Sequence, residues 1–494
     1  MKPRHRQTHI FMLAFLAANL FISSFYVDIW CTPNAVSRAL PVLTLLEDGS
    51  LAIDKYVRRT GDKSRVGEHY FSDKAPLPTL AAVPFYWLIK TVGLDKTDIR
   101  TGKKYPIYIW GPLGIRDGRL SVYPDMIPLL FMCSLLFGSI PFAAMVFITL
   151  KKALAASGRP STVVLVMVSF YGSFLFVFAG TFFNHIFAAF LLLFGYIYIQ
   201  DRAYFRSGLC VGLSFLTEYT VGIALPLWLL IIAVREKSFK KSALYGLGAL
   251  PAVLGFMAYN WITTGHILKT LNAYHVAQAF TGLSSHYGFS LPSWQSIWGL
   301  SFGVYAGLIP HAPALALGGY FLIREFFTDY DYRKLLTSYL ATFSVVFFLA
   351  ISSFFTWWGG WTYGPRYLLV MTALLLYENA VYLNQKRINA FVFWTIAGFG
   401  LISTWMAKVT VMYMVPDKST ALAPLAGSIS GKLYLVKEFL HYHFNGNNIL
   451  SLGLGIEPGI AACIWLIAFI LITLAFAWWW GKISQGQNSP EPFS

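Results

Sequence analysis

The chain has 494 residues, of which 56% are hydrophobic, 17% aromatic and only 12% charged, with a formal net charge of +16. A soluble domain carries about 25% charged residues, and a mean hydropathy of +0.58 over the whole length puts the apolar surplus in the body of the protein rather than in one anchor. These figures exclude a soluble enzyme, a nucleic-acid-binding domain and a disordered chain, and leave an all-α polytopic membrane protein.

The chain opens on the basic stretch MKPRHRQTH, followed by an apolar run from Ile10 to about Val27. No small-residue cleavage site follows, and the bulky Phe25, Tyr26 and Trp30 occupy that region, so a retained first span is expected. Residues 28–125 then form one hydrophilic segment with 14 basic and 11 acidic residues, which is 25 of the chain's 60 charges. A loop that long is usually functional or disordered, and balanced charge with interleaved aromatics speaks against disorder. Within it, AVSRALPVLTLLE (35–47) predicts a helix lying on the membrane surface and ending at Asp48-Gly49. The stretch DKYVRRTGDKSRVGEHYFSDK (54–74) carries the adjacent pairs Asp54-Lys55, Asp62-Lys63 and Asp73-Lys74. Such pairs suit a site where a carboxylate takes a proton from an acceptor hydroxyl while a cation holds a phosphate. The segment APLPTLAAVPFYWLIKTVGL (75–94) is nearly long enough to span, but its three prolines and Lys90 predict a segment in, or dipping into, the outer interface.

Further apolar runs are centred near 126–150, 160–178, 186–200, 208–233, 242–260, 309–323, 336–353, 366–382, 389–409 and 459–480. The run 208–233 is too long for one simple span and is broken by Thr217, Glu218 and Tyr219. Basic segments flank it on both sides, which predicts two short helices with Glu218 at their far tip. Counted so, the chain has about 12 transmembrane helices, both termini cytoplasmic, and a long outer first loop containing interfacial helices. Three parts follow: 1–27, cytoplasmic N-terminus and first span; 28–125, outer (periplasmic) catalytic loop; 126–494, multi-span transmembrane domain. The implied cytoplasmic pieces (1–9, 151–159, 201–207, 235–241, 324–334, 384–387 and 481–494) carry 18 of the 38 Lys and Arg but 6 of the 22 acids. The positive-inside rule thus accounts for most of the basic excess, and no nucleic acid partner is needed.

Other outer-face features converge. The turn TFFNH between the third and fourth spans predicts His185 at the outer surface. An acid such as Glu218 is costly within a membrane unless paired or hydrated. The loop 261–308 holds His266, Lys269, His275 and His286 with many aromatics, and no HExxH or other metal spacing. The four cysteines (Cys31, Cys133, Cys210, Cys463) lie far apart, with no CxxC pair. In WWGGWTYGPRY (357–367), glycines between the aromatics suggest a shaped turn. Aromatic faces bind sugar rings or isoprenoid chains, and Arg366 suits phosphate.

The basic N-terminus, the single span, the long outer loop with its helix, the YFSDKAPLP element (70–78) and the later WWGGWTYGPRYL string together resemble the C-type (GT-C) membrane glycosyltransferase superfamily. The likeness is nearest to the family 39-like bacterial relatives of dolichyl-phosphate-mannose–protein mannosyltransferases and of the aminoarabinose transferase that modifies lipid A. The resemblance implies a glycosyltransferase of the plasma (inner) membrane. It would move a sugar from a polyprenyl-phosphate-linked donor to a lipid, glycan or protein acceptor on the outer face. It implies Lys74, Arg366 and Arg38 at the donor phosphate, and Glu218, His185, Tyr70, Trp358, Trp361 and Tyr363 at the substrates. Where the family carries an early acid this chain has Asn34, so the general base is expected among Asp28, Asp54, Asp62 and Asp73. Asp54 is favoured because it follows the predicted surface helix and precedes the Asp-Lys-rich run. A second family acid stands here as Asn184-His185, so no metal ligands are assigned and a divalent metal is left open. The competing class is a polytopic transporter or lipid-linked-sugar flippase. No internal repeat relates the two halves, and charge gathers in one outer loop, both of which favour the enzyme.

Overall fold

The computed structural model of the protein describes residues 3–29, 32–96, 123–276, 288–326, 338–360, 362–386, 388–410, 440 and 444–488. Among the described residues, six helical stretches are long and apolar enough to cross a membrane: Arg6–Ser24, Ile127–Ser157, Tyr219–Glu236, Phe239–Thr264, Ala390–Val409 and Pro458–Gln485. Four shorter apolar helices join them, and apart from one two-stranded hairpin the described residues are helices and connections. The chain is an all-α, polytopic membrane protein.

The first span, within α1 (Pro3–Ser24), packs against the last helix of the chain, Pro458–Asn488. Phe11 meets Phe476, Trp479 and Trp480, and the Trp465 indole donates to the Ile22 carbonyl at 3.0 Å. Between these ends, α4 (Ile127–Ser134) and α5 (Ile140–Ser157) are joined by a π-helical turn, Leu135–Ser139. Gly138 in that turn lies so close to the backbone of Gly180 and Thr181 that a Cβ would sit 2.8 Å from it. After α6 (Ser161–Tyr171), the segment between α7 (Phe174–Phe178) and α8 (Asn184–Gln200) is thereby held from one side. From another side, the buried Lys408 ammonium, on the helix Ala390–Val409, donates to the carbonyls of Val177 and Ala179. Predicted as a single outer turn, this segment is a clamped corner in the protein interior.

Residues 204–236 form the two short helices expected, α9 (Tyr204–Thr217) and α10 (Ala224–Glu236), with Glu218 at the break. α9 lies against α11 (Phe239–Thr264) with almost no space between backbones: a Cβ on Gly208 would strike the Tyr245 carbonyl, and one on Gly248 the Phe205 carbonyl. Small residues at helix contacts are the usual route to close packing where lipid removes the hydrophobic drive.

The first-loop helix, α2 (Pro33–Asp48), starts at Pro33 behind the N-cap Thr32 and ends on Gly49 in the left-handed region (φ 65°), close to the expected limits. Its setting differs from the prediction of a helix on the membrane surface. Ala35, Val36, Ala39, Leu40, Val42 and Leu43 are all buried in a second apolar core with Ala82, Tyr86, Leu129, Leu130 and Phe182. α3 (Leu77–Thr91) covers it, and α3 at 15 residues is short of the roughly 20 a span needs. The apolar residues expected to rest on the membrane surface are instead covered by another helix. Between them, β1 (Ser64–Val66) and β2 (His69–Phe71) pair antiparallel. The segment at His275 pairs with the edge at Ser64, and the Val276 amide donates to the Lys63 carbonyl at 3.1 Å.

Candidate functional site

Under this roof the charges of the first loop meet those of the transmembrane part. Arg38, one turn into α2 and 3% exposed, points its guanidinium toward the start of α8. It donates to the backbone carbonyl of Asn34 at 2.9 Å, to the Asn34 side-chain oxygen and to Asn184 Oδ1. Asn184 is oriented by its other end: Nδ2 donates to the Thr217 carbonyl at 2.8 Å and to Glu218 Oε2. Glu218 also takes His185 Nδ1 at 2.9 Å and the Thr220 hydroxyl at 3.2 Å. The break between α9 and α10 therefore delivers a largely enclosed carboxylate, 13% exposed, to the first turn of α8, where the Asn-His pair receives it.

The second lobe is built on the strand exit after β2. Lys74 Nζ bridges two carboxylates, Asp73 Oδ2 at 2.7 Å and Asp62 Oδ2 at 2.9 Å. Asp73 is held on both sides, since its Oδ1 accepts from Ser37 at 3.0 Å and His275 Nε2 stands 3.6 Å from its Oδ2. Asp62 engages only one oxygen among the described residues, and its side chain is 24% exposed against 8% for Asp73. Ser37 and Arg38 are neighbours on α2, so one turn of helix ties the two lobes together.

Arg366 completes the set from the other half of the chain. It opens the short 3-10 turn Arg366–Leu368, and its guanidinium lies 5.8 Å from the centre of the Phe183 ring and 5.1 Å from that of Tyr367. Arg38 approaches the same Phe183 ring at 5.9 Å. Gly359 and Gly360, both left-handed (φ 79° and 78°), lie beside the Arg366 side chain: an added Cβ would stand 3.5–3.8 Å from Arg366, in ordinary contact, so the backbone conformation rather than lack of space calls for glycine. Nε of Arg38 and Nε of Arg366 are both buried without a hydrogen-bond partner among the described residues. Neither guanidinium has a carboxylate in direct contact among them.

Electrostatics follow from burial and pairing. Burial lowers the Arg38 pKa to about 10, with Glu218, Asp73 and Asp62 opposing it, so the group stays charged at neutral pH. Burial alone would raise Asp62 and lower Lys74. Their mutual pairing outweighs it, leaving Asp62 below the ordinary carboxylate range and Lys74 above the ordinary amine range. Burial lowers His275 below the usual imidazole value despite Asp73, which keeps it neutral at pH 7.

Of the residues singled out in the sequence, Arg38, Asp62, Asp73, Lys74, His185, Glu218 and Arg366 come together. His185 is buried, not at the outer surface, because α8 begins inside the corner. Asp54, the favoured base, does not join them: it is exposed, accepting from the Tyr70 amide at 2.7 Å and pairing with His69 at 2.7 Å, where it anchors the hairpin. Tyr70 sits on that hairpin beside Lys63 and Arg65. Asp28 is buried at the end of the first span, its amide bonded to the Gly180 carbonyl, in electrostatic reach of Lys408. Tyr363 is a buried packing residue bonded to Ser403, and Trp358 packs on the main core against Trp357. Trp361 lies outside the described residues. The sequence reading missed Ser37, Thr220 and the shared Phe183 ring, and it did not single out His275 among the histidines of its loop. Only the fold brings these into contact. Among the described residues no group of three or more His, Cys, Asp or Glu side chains is placed to hold a metal ion.

No family model matches this sequence, and no curated protein matches it. Among solved structures the chain is similar to "Crystal Structure of ArnT from Cupriavidus metallidurans bound to Undecaprenyl phosphate", at 14% identity and a TM-score of 0.43, over 96% of this chain and 77% of that one. With a similarity this weak in shape and sequence, what the site does has to follow from the chain's own residues.

Proposed function

We propose that this protein is an integral-membrane glycosyltransferase that moves a sugar from a polyprenyl-phosphate donor to an acceptor hydroxyl or amine. The observation that carries the reading is the pair of guanidiniums, Arg38 buried and Arg366 partly exposed, on one aromatic ring, each with a buried Nε–H that has no partner among the described residues. A buried donor without an acceptor is costly, and a phosphate offers acceptor oxygens to two converging guanidiniums. A carboxylate with one oxygen uncommitted among the described residues, Asp62, lies in the adjoining lobe.

In this reading Asp62 Oδ1 takes the proton from the acceptor as its oxygen or nitrogen attacks the anomeric carbon. The bond from that carbon to the phosphate oxygen breaks, and its electron pair stays on the phosphate. A single displacement inverts the anomeric centre. The phosphate gains one negative charge as Asp62 loses one, and Lys74, relieved of one of its two partners, turns its charge toward the leaving group. Asp73, fixed by Ser37 and Lys74, positions that ammonium.

The positive-inside distribution supports about 12 spans, both termini in the cytoplasm and the 28–125 loop with its site at the outer face of the plasma (inner) membrane. It also supports residues 126–494 as the multi-span part, with the apolar helices holding the prenyl tail. The acceptor classes remain lipid, glycan or protein. The test is turnover of a radiolabelled prenyl-phosphate sugar by purified protein in vesicles, followed as sugar transferred to acceptor rather than sugar moved across the bilayer. Loss of transfer in both Arg366→Ala and Lys74→Ala is expected. Unchanged transfer in either, or translocation without transfer, would sink the reading.

A further inference from the structure

We infer that Asn34 and Asn184 are specificity-determining residues that hold Arg38 in place without neutralising it, so that its full charge is spent on an anionic phosphate. The inference rests on the phosphate-binding reading above and deepens it. Three observations carry it. First, every side chain bonded to the Arg38 guanidinium among the described residues is an amide: Asn34 and Asn184. Second, Asn184 separates Arg38 from the nearest acid, since its oxygen faces the guanidinium while its nitrogen bonds Glu218 and the Thr217 carbonyl. Glu218 is thereby turned to His185 and Thr220. Third, Arg38 Nε is buried and without a partner among the described residues, a condition a bound acceptor oxygen would relieve.

A carboxylate at position 34 has nearly the same shape as the amide and accepts the same hydrogen bond. It differs by one negative charge in direct contact with Arg38. At position 184 an acid is excluded twice, because it would neutralise Arg38 and set two carboxylates against each other at Glu218. The geometry therefore separates two roles that a salt bridge would merge, orientation and compensation. Arg38 is oriented by neutral groups, and direct contact with a negative charge is left to the ligand.

The experiment measures binding of a long-chain prenyl phosphate to the purified full-length protein in detergent, with the matching prenyl alcohol as the uncharged control. Asn34→Asp should weaken phosphate binding about tenfold and leave alcohol binding unchanged. Asn34→Ala, which loses one neutral contact but keeps the backbone carbonyl contact to Arg38 at 2.9 Å, should weaken phosphate binding less than Asn34→Asp does, by about threefold. In an Arg38→Gln background, Asn34→Asp should cost nothing further, the signature of coupling through that one charge. Equal weakening by Asn34→Asp and Asn34→Ala would overturn the inference, because position alone would then matter. So would an Asn34→Asp protein that binds as the wild type does. If Asn34→Asp does not fold, Arg38→Gln alone must weaken phosphate but not alcohol binding, and an unchanged affinity overturns the inference. Wild-type protein that binds no prenyl phosphate would instead refute the phosphate reading itself, and the inference with it.

Discussion

Replacing Asp62 by Asn tests which carboxylate accepts the proton. The substitution keeps shape and removes basicity. A general base contributes about 10²- to 10⁴-fold, or roughly 3–5 kcal/mol of barrier at 1.36 kcal/mol per factor of ten. The structural cost is smaller. Lys74 retains Asp73 at 2.7 Å, and the lost partner is a part-exposed carboxylate, so stability should fall by only about 1–2 kcal/mol. Lys74 also loses one of its two counter-charges, so donor binding should hold or tighten. The expected result is therefore a kcat lower by about a hundredfold or more, an unchanged or lower KM for a prenyl-phosphate sugar, and a near-native melting temperature. Asp73→Asn should behave differently. Both its oxygens are engaged, so that substitution turns an amide nitrogen toward the Lys74 ammonium or breaks the Ser37 bond. It should cost about 3 kcal/mol of stability along with activity. Steady-state kinetics beside thermal melts separate the two. Transfer by Asp62→Asn within threefold of the wild type would refute the assignment, and so would a KM that rises while kcat holds.

The other expectations concern the cradle, the ion pairs and the buried corner. Arg366→Gln should weaken prenyl-phosphate binding by about tenfold or more, since a charge-assisted hydrogen bond is worth about 1.5–3 kcal/mol; equilibrium binding against the prenyl alcohol reads it. Gly359→Ala forces a Cβ onto a left-handed backbone (φ 79°) beside Arg366. It should lower stability by about 1–2 kcal/mol and raise the donor KM, and an unaltered melt and KM would count against the cradle. The Asp62–Lys74 pair sets a pH window. Asp62, depressed on folding, stabilises above its unfolded pKa of about 3.9, and that contribution is lost as pH falls through the lower folded value. Lys74, raised on folding, stabilises below about 10.4, and that contribution is lost as pH rises through the higher folded value. Melting temperature should therefore be flat across neutral pH and fall at both extremes, and Lys74→Met should flatten the two shoulders. Lys408→Met leaves the Val177 and Ala179 carbonyls without their donor; it should lower the melting temperature, which a thermal scan in detergent checks.

Much of this architecture is legible in composition and periodicity, and the misses have identifiable causes. Charge placement and apolar runs mark the membrane-spanning body, and the Thr217-Glu218-Tyr219 interruption marks the break between α9 and α10. The capping signals of α2 are equally plain, with Pro33 at its start and Gly49 after its end. That α2 is roofed by α3 is not readable locally, because a half-buried helix and an interfacial one share the same apolar stripe. The site follows the same division. Lys74 and Arg366 stand out by residue type in unusual strings, whereas Asp54 and Asp62 sit in equivalent Asp-Lys pairs, and the chain order that favours Asp54 says nothing of which of them meets Lys74. The hairpin ranks them: its start consumes Asp54 in bonds to His69 and the Tyr70 amide, while Asp62 falls beside Lys74. His275 has no local signal at all. It arrives by strand pairing across more than two hundred residues of chain.

The formal charges of the cluster also bear on how a cycle would close. Arg38, Lys74 and Arg366 face Asp62, Asp73 and Glu218, three cations against three carboxylates, so the cluster is formally neutral and avoids the cost of a net buried charge. In the proposed transfer the phosphate gains the charge that Asp62 gives up, so the net charge of cluster and ligand is unchanged during the chemical step. It changes when the anionic donor binds, and again when the prenyl phosphate departs and Asp62 surrenders its proton. That step needs a route to water. Asp62, a quarter exposed with one oxygen uncommitted among the described residues, has such a route, whereas Asp73, 8% exposed and bonded at both oxygens, lacks it. The asymmetry between two carboxylates on one lysine is therefore the physical basis for giving them different roles, one to exchange a proton in every turnover and the other to keep the lysine in place.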